Sequence, residues 1–156
     1  MFTGINSEIC ATAWAMVEPA IIRSAELEVT NELSGNLVVL DPTADEFSVL
    51  FTAHAGEPDE RTLTFATNKA RVVFRTRLDT STLRNAVPHL YAPGDISFPG
   101  GIIREGLIVA YSGVQGEYDE MISEWFASAV RGLCRFAFNG PQGGDAQPTP
   151  YLGREA

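Results

Sequence analysis

"ISFPGGIIREGLIVAYSG", residues 96–113, reads as a β-hairpin whose tip is Arg104-Glu105-Gly106, with glycine where a positive φ is most often needed. Pro99, Gly100 and Gly101 mark its entry. A glycine pair there suits close backbone approach by a ligand or another chain, or a bulge. A second hairpin lies upstream, where "GNLVVLD" and "EFSVLFTA" are joined by the turn-forming "PTAD", pairing Asn36–Leu40 with Phe47–Ala53. Helical patterns precede, separate and follow the two hairpins. The order helix, hairpin, helix, hairpin, helix predicts an α+β domain with one antiparallel sheet.

The first helix is expected from Ser7 to about Glu32, capped by Asn6 or Ser7, with Ile9, Ala13, Met16 and Val17 at three-to-four spacing. Pro19 predicts a break or kink near Glu18, giving two short helices or one bent one. The middle helix starts at Asp59 or Glu60 after the loop "HAGEPD". It carries Leu63, Ala66, Ala70, Val73 and Phe74 on one stripe and Arg61, Thr64, Asn68, Arg71 and Arg75 on the other face. Residues 77–95 are rich in turn formers, with room for one helical turn. The last helix is expected from near Tyr118 to about Arg135, burying Met121 or Ile122, Trp125, Ala129 and Leu133. Residues 1–138 thus form one domain, and the Gly/Pro/Gln-rich residues 139–156 a tail.

At 156 residues and 45% hydrophobic content the chain suits a single domain with a sizeable core. A net charge of −9 without a basic run argues against a nucleic-acid partner. The N-terminal "MFTGINSEIC" lacks the features of a secretory signal, and no apolar run reaches the length of a membrane span. The expectation is a soluble, cytoplasmic protein with no membrane partner. Cys10 and Cys134, without CxxC spacing, read as free buried thiols.

Candidates for chemistry are few. His54 and His89 are the two histidines, and no GxSxG motif precedes a helix, so a nucleophilic triad is poorly supported. "SGVQGEYD" offers glycines before a helix, but Glu117, Asp119 and Glu120 there oppose an anion. His54, at a strand end, reads as an ordinary loop histidine or as a metal-side ligand. Lys69 is the single lysine beside ten arginines, and it lies inside the apolar arc of its helix, between Phe65 and Val73. Its stem can snorkel to water, it can pair with a carboxylate in a subunit interface, or it can line a pocket and hold an anionic ligand. A desolvated lysine can also form a Schiff base.

Taken together, "NLVVLD", "HAGEPD", "NKARVVFRTRLDTSTL", "FPGGIIREGLIVAYSG" and "YDE" resemble, in order and spacing, the GlcG/HbpS-like family, also called the haem-degrading or haem-binding domain family. The resemblance covers about residues 36–131. It implies a five-stranded antiparallel sheet packed with helices in a PAS- or profilin-like topology, assembled as a homo-oligomer. Lys69 and Ala70 match the family's K-A pair, Gly100 and Gly101 its double glycine, and Ser112 and Gly113 its SG. The implied function is small-ligand binding, of haem, another tetrapyrrole or a small anionic metabolite. Lys69, Gly100, Gly101, Ser112 and Gly113 would then contact the ligand, and His54 a metal. The alternative is an enzyme on a small carboxylated metabolite, an accessory of glycolate or diol catabolism.

Overall fold

The computed structural model describes residues 4–140. Its elements are α1 (Ser7–Glu26), β1 (Gly35–Leu40), β2 (Val49–Ala55), α2 (Glu60–Thr76), α3 (Thr80–Ala86), β3 (Gly101–Arg104), β4 (Leu107–Ser112) and α4 (Gly116–Asn139). The strands pair in the order β2-β1-β4-β3, every neighbour antiparallel. No helix among the described residues is long and apolar enough to cross a membrane. The tail expected beyond residue 138 falls almost wholly outside the described residues, while α4 runs to Asn139.

Why β1 and β4 read as unbroken apolar runs follows from their place in the centre of the sheet. Leu37, Val39, Val109 and Tyr111 face α1 and α4, where they meet Ala13, Val17, Ile21, Ile122 and Phe126. Val38, Leu40, Ile108 and Ala110 face α2 and meet Ala66, Ala70 and Val73. Strands covered on both faces have no polar side to alternate with. The result is three layers, with α1 and α4 on one face and α2 on the other.

The β3–β4 turn is as expected: Glu105 and Gly106 hold φ of 47° and 82°, the paired positive values of a type I′ hairpin. The upstream hairpin also forms, although β2 begins and ends two residues later than the expected Phe47–Ala53, beside a register irregularity at Val39/Leu40.

Three expectations need correction. The sheet has four strands among the described residues, where the resemblance implied five. The segment after α3 carries Pro88, Pro93 and Pro99, which cannot donate to a ladder, and it forms a 3₁₀ turn at Pro88–Leu90 followed by irregular chain. The edge beyond β3 is instead engaged by the start of α3, where Asp79 Oδ1 accepts from the Ile103 amide (2.9 Å) and Thr80 Oγ1 from the Gly101 amide (3.0 Å).

Secondly, α1 stops at Glu26, short of Glu32; it runs through Pro19 as one helix, one of the two forms expected. Asn6 Oδ1 caps it by accepting from the Ile9 amide (2.8 Å), and burial of Val17 and Ile21 on either side of the proline offsets the lost hydrogen bond. Finally, the buried stripe of α4 is Ile122, Phe126 and Val130, one residue out of phase with Trp125, Ala129 and Leu133, which are only partly buried.

Phe126 stacks on Phe51 with ring centroids 6.3 Å apart and planes 9° apart. Phe126→Ala should therefore lower stability by about 3–5 kcal/mol in urea unfolding. A loss under about 1 kcal/mol would show that α4 is phased as the sequence pattern alone indicates.

Candidate functional site

Lys69 belongs to α2, and Asp119 to the first turns of α4 in the opposite layer. They meet at the end of the sheet. Lys69 Nζ donates to Asp119 Oδ2 (2.9 Å) and to the Tyr111 carbonyl (3.0 Å), and the lysine is only 1% exposed. Asp119 Oδ1 accepts from the Val114 amide (3.0 Å), tying the carboxylate to the chain that links β4 to α4. Snorkelling to water is thereby overturned for Lys69. Its carboxylate partner lies within the same chain.

Gly100 makes room for this pair. Its φ is +131°, and a Cβ there would stand 2.5 Å from the Tyr111 carbonyl and 2.8 Å from Lys69 Nζ. The Gly100 carbonyl accepts from Ser123 Oγ (2.7 Å) and from the Tyr111 amide (3.1 Å). Gly101 is confined less tightly: a Cβ on it would lie 2.9 Å from Val73 Cγ2 and 3.1 Å from the Lys69 carbonyl oxygen. The close approaches at both glycines are thus made by this chain's own atoms.

A cleft of about 260 Å³ opens over the pair. Arg61, Thr62, Phe65 and Lys69 of α2 line one side, and Ser112, Gly113, Val114, Gly116 and Asp119 the floor and far side, with Asn31, Glu32 and Phe98 at the rim. The start of α2 is fixed by Asp59, whose Oδ1 accepts from the Arg61 amide (2.8 Å). Asn36 of β1 holds it from below, donating to Thr62 Oγ1 (2.6 Å) and to the Asp59 carbonyl (2.9 Å).

Of the residues read from the sequence, Lys69, Ser112 and Gly113 come together in this cleft, while Gly100 and Gly101 stand behind Lys69. His54 does not join them. It is exposed on the edge strand β2, with Nδ1 3.0 Å from the Gly56 carbonyl oxygen. No group of three or more histidine, cysteine, aspartate or glutamate side chains suited to a metal ion occurs among the described residues. Cys10 and Cys134 are free thiols, and burial pushes Cys10 up to about 12.

Sequence reasoning missed Asp119 as the partner of Lys69 and missed Arg61 and Phe98 as cleft residues. A lysine on an apolar arc requires a nearby carboxylate, which could have drawn attention to the "YDE" at the start of α4.

Electrostatically the pair is strained by its surroundings. Burial pushes the Asp119 carboxyl up to about 6, against the pull of Lys69 and of the Val114 and Gly113 amides. The same burial lowers the Lys69 ammonium, opposed by Asp119. A charged amine held this way is a poor nucleophile.

Solved structures, compared with this one, share its fold. Klebsiella pneumoniae ORFY, of the DUF336 family, is 18% identical with a TM-score of 0.54, the match covering 76% of this chain and 88% of that one. A double mutant of Streptomyces reticuli HbpS is 19% identical with a TM-score of 0.55, over 82% of this chain and 88% of that one. A PduOC:haem complex is 18% identical with a TM-score of 0.57, over 81% of this chain and 95% of that one. No family model and no curated protein matches the chain. At these identities the likeness is one of fold. At that level it bears out the resemblance to GlcG/HbpS-like proteins read from the sequence.

Two outcomes test the pair. Lys69→Met leaves a buried carboxylate without its cation and should cost about 3–5 kcal/mol in urea unfolding, whereas Lys69→Met with Asp119→Leu should recover most of that loss. Equal destabilisation in both would show that the pair is not one unit. As for pH, a carboxyl raised by burial contributes most below the ordinary aspartate value of about 3.9 and loses that contribution as pH rises through the folded value near 6. The stability advantage of the native chain over Asp119→Asn should therefore shrink between pH 4 and pH 7, and an advantage that grows would contradict the assignment.

Proposed function

We propose that the chain is a small-ligand-binding domain of the GlcG/HbpS-like family, working as a cytoplasmic homo-oligomer, with the cleft over Lys69 and Asp119 as its site. The observation that carries this reading is the cleft itself, where Lys69, Ser112 and Gly113 converge on one concave surface beside two phenylalanine rings. Two free thiols accord with a reducing compartment. A cleft of about 260 Å³ is just below the roughly 300–1,000 Å³ of sites that enclose drug-sized ligands, so a small anionic metabolite is the ligand it favours.

Haem is the second reading, supported by the haem complex of a protein with this fold. One chain alone fits it poorly. No histidine lines the cleft, and Glu32 on the rim would oppose the haem carboxylates. Haem would rest instead on the exposed face carrying His54, and iron there would be held through that imidazole. An enzyme on a small carboxylated metabolite could use the same cleft, but it would need a proton carrier other than Lys69, whose ammonium is already committed to Asp119.

Titration of haem into the purified chain separates the ligand readings. The small-anion reading predicts a Soret band no different from free haem, together with saturable thermal stabilisation by small organic acids. A saturable, shifted Soret band weakened by His54→Ala would replace it with the haem reading. Neither response would remove ligand binding at this site.

A further inference from the structure

Arg61 sits in the first turn of α2, where the helix dipole disfavours a cation, so its placement is not explained by helix stability. Arg23, Arg75, Arg104 and Arg131 pair with carboxylates, and Arg71 and Arg77 lie over the rings of Phe47 and Phe74. Arg84 donates to the Ser97 carbonyl, and exposed Arg135, on α4, lies away from the cleft. Arg61, also exposed, is the arginine that lines the cleft, and its guanidinium has no ion-pair or hydrogen-bond partner among the described residues.

Arg61, Phe65 and Lys69 follow one another at intervals of four along α2, which places them on a single row facing the cleft. Phe65 is 37% exposed, and Phe98, from the chain entering β3, is 55% exposed at the same opening. Because Lys69 is neutralised by Asp119, the positive charge available to a ligand is that of Arg61. A guanidinium fork matches a carboxylate, and phenyl rings prefer offset or edge contacts with another ring. Glu32, on the same rim, repels a second negative charge. At about 260 Å³ the cleft has room for a one-ring ligand, benzene being held by an apolar cavity of about 150 Å³.

We infer that the cleft binds a planar aromatic monocarboxylate, its carboxylate on Arg61 and its ring against Phe65 and Phe98. The inference rests on the cleft being the ligand site proposed above and adds the ligand's chemical class. Arg61 is the anchor, and the two phenylalanines select for planarity.

Calorimetric titration of the full chain with benzoate, phthalate, glycolate and haem tests this, using the native protein, Arg61→Gln and Phe98→Ala, each checked for folding by circular dichroism. Benzoate should bind saturably and more tightly than phthalate or glycolate. Arg61→Gln should weaken it tenfold or more, and Phe98→Ala severalfold. Binding of glycolate without benzoate would overturn the aromatic class and leave the cleft as a ligand site, benzoate binding unchanged by Arg61→Gln would overturn Arg61 as the anchor, and binding of haem alone would overturn both the aromatic class and the cleft as the site. Failure of all four probes to bind would overturn both.

Discussion

The hydrogen-bonded ion pair between Lys69 and Asp119 joins the two helical layers around the end of the sheet, and the geometry of the cleft depends on it. α2 and α4 pack on opposite faces and share no core cluster. Lys69 reaches past the ends of β3 and β4, takes the Tyr111 carbonyl on the way and meets a carboxylate held by the Val114 amide. Gly100 is required because any side chain there would occupy the space of that contact. Burying two charges is costly, and such a pair adds little net stability compared with apolar residues. What it supplies here is position: the first turns of α4 and the middle of α2 are fixed relative to each other, and the cleft lies above them.

Much of the fold could be read from periodicity. The continuous runs "NLVVL" and "LIVAY" identified the strands that turned out to be central, and the Arg104-Glu105-Gly106 tip forms the turn expected of it. The stripe of Ala66, Ala70 and Val73 on α2 was legible because its polar face is sharply distinct. α4 was harder, since Trp125, Phe126, Ala129 and Val130 give two apolar stripes one residue apart. Packing against Phe51 and the sheet, which no local pattern records, selects the second. Pro19 left two forms open for the same reason, and tertiary burial of the helix on both sides of it accompanies the single-helix form. The fifth strand came from resemblance; the proline-bearing segment between α3 and β3 forms a 3₁₀ turn and irregular chain instead.

The site was half visible. A single lysine on an apolar arc stood out, and its burial follows directly from that position. Its partner lies 50 residues downstream, where the acidic residues read naturally as favourable charges at a helix start. Arg61 was equally hidden, because on a helical wheel it belongs to the polar face, and only the loop carrying Phe98 turns that part of the helix into the wall of a cleft. The double glycine was legible as a place of close approach, but what approaches is the Tyr111 carbonyl, the Lys69 ammonium and the Val73 side chain. Shared fold with haem-bound and DUF336 structures therefore does not by itself fix the ligand. The chemistry is set by the side chains around this cleft.

Because Lys69 is the single lysine of the chain, selective ¹⁵Nζ-lysine labelling yields one side-chain resonance with no assignment problem. NMR of that ammonium is the most direct measurement of the interaction on which the cleft is built. At pH 7 a buried, charge-paired Lys69 gives one sharp cross-peak from a protonated amine whose hydrogens exchange slowly with water, collapsing to fast exchange in Asp119→Asn. A signal in fast exchange in the native protein, or one from a neutral amine, would contradict a buried, charge-paired Lys69.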